Sequence, residues 1–300
     1  MKRTLLSMLF ILIAVVGGCK KQTETATFGH RLLLASDPYL PLIQQEAEQF
    51  ISLYPQVKIE VRGATTREAI VLLLNDSVQT IVIDRQFNEE EKQVAQQASI
   101  RLVENKIAED GIAIIVHKQN PIPNITAESV HRIVTKTATE WTQIAESHWF
   151  GPIDFVLTGR NSGMYELLQK KNLIGSKPLE PNAVMNSQHE VIQYVSTHPH
   201  SVGCVAASLL FDESVNVKML PVLTKSPEGD EKEYLPRQQE IYESLYPFHY
   251  SLYLYNAEAK AAVGVGFSAL VLSNVGQKIF QRSGLVPVSI PYRTIQLKAE

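Results

Sequence analysis

The sequence predicts an α/β protein of two lobes, each a mostly parallel sheet flanked by helices, with two crossover strands joining the lobes. Three observations carry this. Short apolar strands alternate with helical patterns, and each strand runs into a polar turn. Two proline-containing breaks, at 117–123 and 245–251, divide the chain into one inner and two outer stretches. The 300 residues, 45% hydrophobic and 20% charged, have a globular composition and the length to build two cores.

Residues 1–18 stand outside the fold. Lys2 and Arg3 form a basic start, 5–16 an apolar run, and Val16-Gly17-Gly18 brings small residues up to Cys19. A secretory signal peptide has this shape, and the apolar run is short for a membrane span. Small residues directly before a cysteine also resemble the bacterial lipobox. Cys19 would then be the lipidated first residue and 19–27 a flexible tether; a plain signal peptide or an uncleaved anchor is the alternative.

The first lobe is assigned to 28–117 and 248–300, the second to 118–247. In order, 30–35 reads as a buried strand, with Ser36-Asp37-Pro38 opening a helix over 40–54 whose apolar positions recur at helical spacing. Residues 57–61 alternate as a strand, 63–66 turn, and 67–75 form a helix. Residues 79–83 are a third strand running into Asp84-Arg85. A charged amphipathic helix spans 89–97. Strands follow at 101–106 and 109–117, separated by a tight turn, and 118–123 crosses to the second lobe. There Thr126 caps a helix over 127–134, 153–157 is a strand, and Ser162 starts a helix to 171. Residues 186–189 cap a helix over 190–197, with strands at 202–206 and 215–220. Residues 224–237 read as a surface loop. The strand 251–255 returns to the first lobe, 257–273 is helical, and 274–283 extends that helix or starts another.

Charge and cysteine usage exclude several functions. The formal charge is −3, from 28 basic and 31 acidic residues; removing Lys2 and Arg3 leaves 26 against 31, or −5. This is no nucleic-acid footprint, and it gives no bulk steering toward anions, so an anion site must work by local geometry. The eight histidines are scattered, with no metal-ligand spacing, and no cofactor motif is present. With Cys19 lipidated, Cys204 has no disulfide partner.

The stretch Leu157-Thr158-Gly159-Arg160-Asn161-Ser162-Gly163-Met164 is the strongest functional candidate. It is a strand end, a polar loop and a helix start. Free N–H groups, the helix dipole, the Ser162 hydroxyl and the Arg160 guanidinium together favour an anion. Read alone, it is also an ordinary strand–turn–helix joint. Ser36, Thr65, Thr66 and Asp84 fall at the carboxyl ends of first-lobe strands, where ligands bind in parallel sheets.

In order along the chain, several segments resemble the phosphate-binding lipoproteins of bacterial ABC phosphate importers, which have the type II periplasmic-binding-protein fold. They are Asp110 to Val116 with Asn120-Pro121, Ile125-Thr126, Val130 and Trp141; Ser162-Gly163-Met164; Val202-Gly203-Cys204-Val205; Tyr246-Pro247-Phe248 with Leu252 to Tyr255; and Phe267, Leu272-Ser273, Gly276-Gln277 and Gly284 to Pro287. The resemblance implies a monomeric, extracytoplasmic protein, anchored to the membrane through Cys19. It would hold inorganic phosphate or a similar oxyanion between its lobes for an ABC permease. Carried over by position, the ligand set is Ser36, Thr65, Thr66, Asp84, Arg160, Asn161, Ser162 and Gly163. Met164 stands where the family has a threonine, and Arg160 lies two residues before Ser162 where the family arginine lies four before. Arg85 matches another family arginine. The alternatives are a binding fold turned to sensing or scaffolding, or to sulfate or molybdate. A hydrolase built on Ser162 lacks the glycine two residues earlier that a nucleophile elbow requires.

Overall fold

The computed structural model describes residues 23–289, apart from 145–146, 172, 174–178, 212–214, 228 and 258–261. The signal-peptide segment and Cys19 lie outside the described residues. In the first lobe, β1 (Gly29–Ser36) lies between two parallel neighbours, β2 (Val57–Ala64) and β3 (Thr80–Ile83). A helix follows each strand: α1 (Leu40–Leu53) after a 3-10 turn at Asp37–Tyr39, α2 (Thr66–Leu74), and α3 (Glu89–Gln97). Asn88 and Glu91 close a reciprocal capping box on α3.

The next strand, β4 (Leu102–His117), passes from one lobe to the other. The second lobe follows with β5 (Ile125–Thr126), α4 (Ala127–Val134), β6 (Asp154–Thr158), α5 (Gly163–Lys170), β7 (Ala183–Met185), α6 (Gln188–Thr197), β8 (Ser201–Ala206) and β9 (Val217–Met219). A hairpin of β10 (Val222–Lys225) and β11 (Glu231–Tyr234) and the short α7 (Gln238–Tyr242) lead back. The first lobe is completed by β12 (His249–Ala257), α8 (Ala262–Leu272), α9 (Asn274–Arg282) and β13 (Val286–Pro287). One sheet runs through both lobes in the order β2-β1-β3-β12-β4-β8-β6-β7, with β13 and β9 also paired to β4. The outer strands of each lobe are parallel; β12, β4 and β8 in the middle are antiparallel.

The first-lobe core forms where α1, α8 and α9 press Phe50, Phe267 and Phe280 onto the sheet. In the second lobe Trp141, Phe155, Leu157 and Met164 do the same. Burying large apolar side chains such as these is worth about 1.5–3 kcal/mol each.

The structure departs from the sequence expectation at five places. The tight turn expected before residue 109 is absent: β4 is one strand of 16 residues. Gly111 is needed for close approach, since a Cβ there would lie 2.5 Å from the Pro236 Cβ. The crossover is accordingly not at 118–123. Residues 102–111 pair with β12, while 112–116 pair with β8, so the chain changes lobes at Asp110–Gly111. Residues 118–123 lie in the second lobe, where the Lys218 ammonium donates to the Asn120 and Ile122 carbonyls. Residues 224–237 contain a hairpin, in which Val222 pairs with the buried Tyr234 while Lys225, Glu231, Lys232 and Glu233 are exposed. The strand β12 continues to Ala257, and the helix expected from 257 is described only from Ala262. Finally, 24–27 are not free. Glu24 pairs at 2.5 Å with the buried Arg31, Thr25 and Phe28 form a bridge, and the Ala26 carbonyl lies over Gly266. A buried guanidinium requires a counter-charge, and Glu24 supplies it.

Candidate functional site

Parallel register assembles the site. Ser36 lies opposite Ala64 at the ends of β1 and β2, and Asp84 follows directly after β3. Thr65, Thr66 and Asp84 therefore emerge beside Ser36 at one edge of the first-lobe sheet. In the second lobe Thr158 is in register with Met185, which brings the loop 159–162 next to residues 184–186. The two edges face each other across a cavity of about 260 Å³. All eight residues singled out in the sequence line it: Ser36, Thr65, Thr66, Asp84, Arg160, Asn161, Ser162 and Gly163.

Helix capping aims the hydroxyls. Ser162 caps α5, its Oγ accepting from the Tyr165 N–H at 3.4 Å and from the Thr158 hydroxyl at 2.8 Å, so its own proton is free to donate. Thr65 caps α2 through the Glu68 N–H at 3.3 Å. Ser36 is buried, caps nothing, and its Oγ makes no hydrogen bond. An unpaired buried hydroxyl costs roughly 1–3 kcal/mol, which a ligand oxygen in the cavity would recover.

The lobes touch directly around the cavity. Thr66 donates to Asp84 Oδ1 at 2.7 Å, and the Asp84 carboxylate rests on Gly163: a Cβ there would lie 1.8 Å from Oδ1 and 2.2 Å from Oδ2. Burial raises the Asp84 carboxyl above its ordinary value, against the Thr66 hydrogen bond that lowers it. The Arg67 N–H donates to the Asn161 carbonyl at 3.3 Å, and the Gln188 N–H, at the start of α6, donates to Asp37 at 3.2 Å. Arg85 is clamped by Glu91 of its own lobe at 2.7 and 2.8 Å and by Glu166 of α5 across the cleft. Burial works against the Arg85 charge, but hydrogen bonds and charge from the two glutamates hold it above its ordinary value. Its fork is thus spent on carboxylates, and Arg85 does not line the cavity. Arg160 does, exposed at the rim and with no carboxylate partner among the described residues.

Behind the cavity a buried cluster sits at the passage between lobes. Asp110 accepts from Tyr39 at 3.0 Å, from the Gly111 and Ser208 N–H groups at 2.7 and 3.2 Å, and from the Ser208 hydroxyl at 2.6 Å. The Tyr39 and Tyr250 hydroxyls are 2.6 Å apart. Desolvation outweighs these donors and pushes Asp110 up to about 6.

Sequence reasoning missed Asp37, Thr158, Asn186 and Gln188, which also line the cavity. Thr158 had a signal, since it ends a strand just as Ser36 does. Met164, expected as a lost ligand hydroxyl, is fully buried in the core and does not line the cavity.

Comparison with known proteins places this geometry in context. Residues 20–275 match the model of a PBP superfamily domain. Protein SphX of Synechococcus elongatus is 24% identical over 290 residues, covering 92% of this chain and 83% of that protein. The phosphate-binding protein PstS of Pseudomonas aeruginosa is 24% identical over 282 residues, covering 89% and 85%. The structure is similar to that of a Clostridium perfringens ABC transporter substrate-binding protein with bound phosphate. The TM-score is 0.75 at 23% identity, over 87% of this chain and 100% of that one.

Proposed function

The chain belongs to the PBP superfamily, and from that premise we propose that it is a solute-binding protein capturing phosphate between its lobes for an ABC importer. The observation that carries this is the convergence of Ser36, Thr65, Thr66, Asp84, Arg160 and Ser162 on one cavity at the starts of two helices. Hydroxyls and helix N–H groups donate to an oxyanion, and Arg160 supplies positive charge at the rim. Asp84 adds an acceptor. It suits an oxyanion that still carries a proton, as phosphate does near neutral pH and sulfate does not. Ser162 is held by Thr158 and Tyr165 N–H rather than by a histidine, an arrangement for binding and not for nucleophilic attack. PstS, named for phosphate binding, supports the same ligand.

Isothermal titration with phosphate, sulfate and molybdate tests the reading. Phosphate should bind and sulfate should not, with Arg160→Ala weakening phosphate at least tenfold. No heat with any of the three, or an unchanged affinity in Arg160→Ala, overturns it.

The same reading places the protein outside the cytoplasm, anchored through a lipid on Cys19. The support is the basic start, apolar run and small residues before that cysteine. Labelled palmitate should enter the wild-type protein and not Cys19→Ser; equal labelling of the two rejects the anchor.

A further inference from the structure

A second cavity, of about 310 Å³, adjoins the first. The two share Thr158, Gly159, Arg160 and Val184 in their walls, and the second adds Tyr165, Leu179, Glu180 and Pro181. The lining of the first cavity is mixed: Ser36, Thr65, Asp84 and Ser162 supply polar atoms, while Val184 and Met185, beside Asn186 and Gln188, add apolar surface. A tetrahedral oxyanion displaces two to three waters, roughly 60–90 Å³ of liquid volume. About 260 Å³ leaves ample room beside it, and the apolar wall offers a bare ion nothing. Through Arg160 and Val184 the first cavity joins the surfaces of Tyr165, Leu179 and Pro181, which suit carbon, with the exposed Glu180 beside them.

We propose that the site takes small organic phosphoryl compounds, phosphomonoesters or phosphonates, with the phosphoryl group at the hydroxyls and the organic substituent past Arg160 in the second cavity. The proposal rests on the oxyanion reading and widens its ligand class. A monoester or phosphonate keeps three terminal oxygens for the Ser36, Thr65 and Ser162 hydroxyls, the Thr66 proton being held by Asp84. Arg160, at the boundary, faces the phosphoryl charge from the substituent side.

Titration of the mature chain with inorganic phosphate, glycerol 3-phosphate and a methyl-, ethyl-, propylphosphonate series tests this. Glycerol 3-phosphate should bind at least as tightly as phosphate, and affinity should rise by about fourfold per methylene along the series. Pro181→Trp, which fills only the second cavity, should weaken glycerol 3-phosphate at least tenfold and leave phosphate within twofold. Phosphate binding without any organic ligand, or a flat or falling phosphonate series in the wild-type protein, overturns the proposal and leaves the oxyanion reading standing. Equal weakening of both ligands by Pro181→Trp also overturns it. No heat from any compound sinks the oxyanion reading itself.

Discussion

The Asp84 carboxylate of one lobe rests on the Cα of Gly163 in the other, so closely that a methyl group at 163 would fall 1.8 Å from Oδ1. Gly163 is the first residue of α5, and its φ is not in the left-handed region, so glycine is required there by the approach of the opposite lobe and not by the local backbone. The contact between lobes and the proposed phosphate site therefore meet at one point.

Gly163→Ala should keep the fold, with a melting temperature within a few degrees of wild type, because a helix start tolerates alanine. It should block full closure and weaken phosphate at least a hundredfold. Calorimetry, with solution scattering to show a larger liganded radius of gyration, checks this.

Asp84→Asn should exchange selectivity. The amide offers donors where the carboxylate only accepts, so a fully deprotonated oxyanion is no longer repelled. Sulfate binding should appear while phosphate weakens about tenfold or more, read by titration of both anions at pH 7.

Glu166→Gln should loosen the closed form without harming the first lobe, since Arg85 keeps its two hydrogen bonds to Glu91. A partly exposed ion pair is worth roughly 1 kcal/mol, or about fivefold in affinity. The unliganded protein should also show a larger radius of gyration by scattering.

Glu46, on α1, is fully buried and neither carboxyl oxygen has a hydrogen-bond partner. Burial pushes it up to about 8 from an ordinary 4.5. A carboxyl raised in the folded state favours folding while protonated. Its contribution is full below pH 4.5 and is lost as pH rises through about 8. Glu46→Met should therefore remove this decline and stabilise the protein at pH 9 by on the order of 3 kcal/mol, measured by denaturant unfolding across pH.

Much of the site was legible because it rests on a local rule. In a parallel sheet, polar residues at strand ends share one edge, and Ser36, Thr65, Thr66, Asp84 and the 159–163 loop obey it. What was not legible depends on the lobes meeting. Glu166 lies one residue beyond a capping-box position and carried no signal of its own. Its role appears only when Arg85 arrives from the other lobe. Asp110-Gly111 read as the start of a strand after a tight turn, with nothing to mark it as the passage between lobes. Its burial under Pro236 and Ser208 comes from residues about a hundred positions away. The hairpin at 222–234 hid behind its charged outer face.

The strand β4 has a consequence for modularity. Residues 102–111 are knitted to β12 and 112–116 to β8, so separating the lobes always cuts β4, although the return at 243–248 is a turn. Any attempt to express one lobe alone, or to graft one onto a relative, severs a strand and leaves an unpaired edge in the piece that keeps the stump. The two lobes are thus one unit for any truncation or graft.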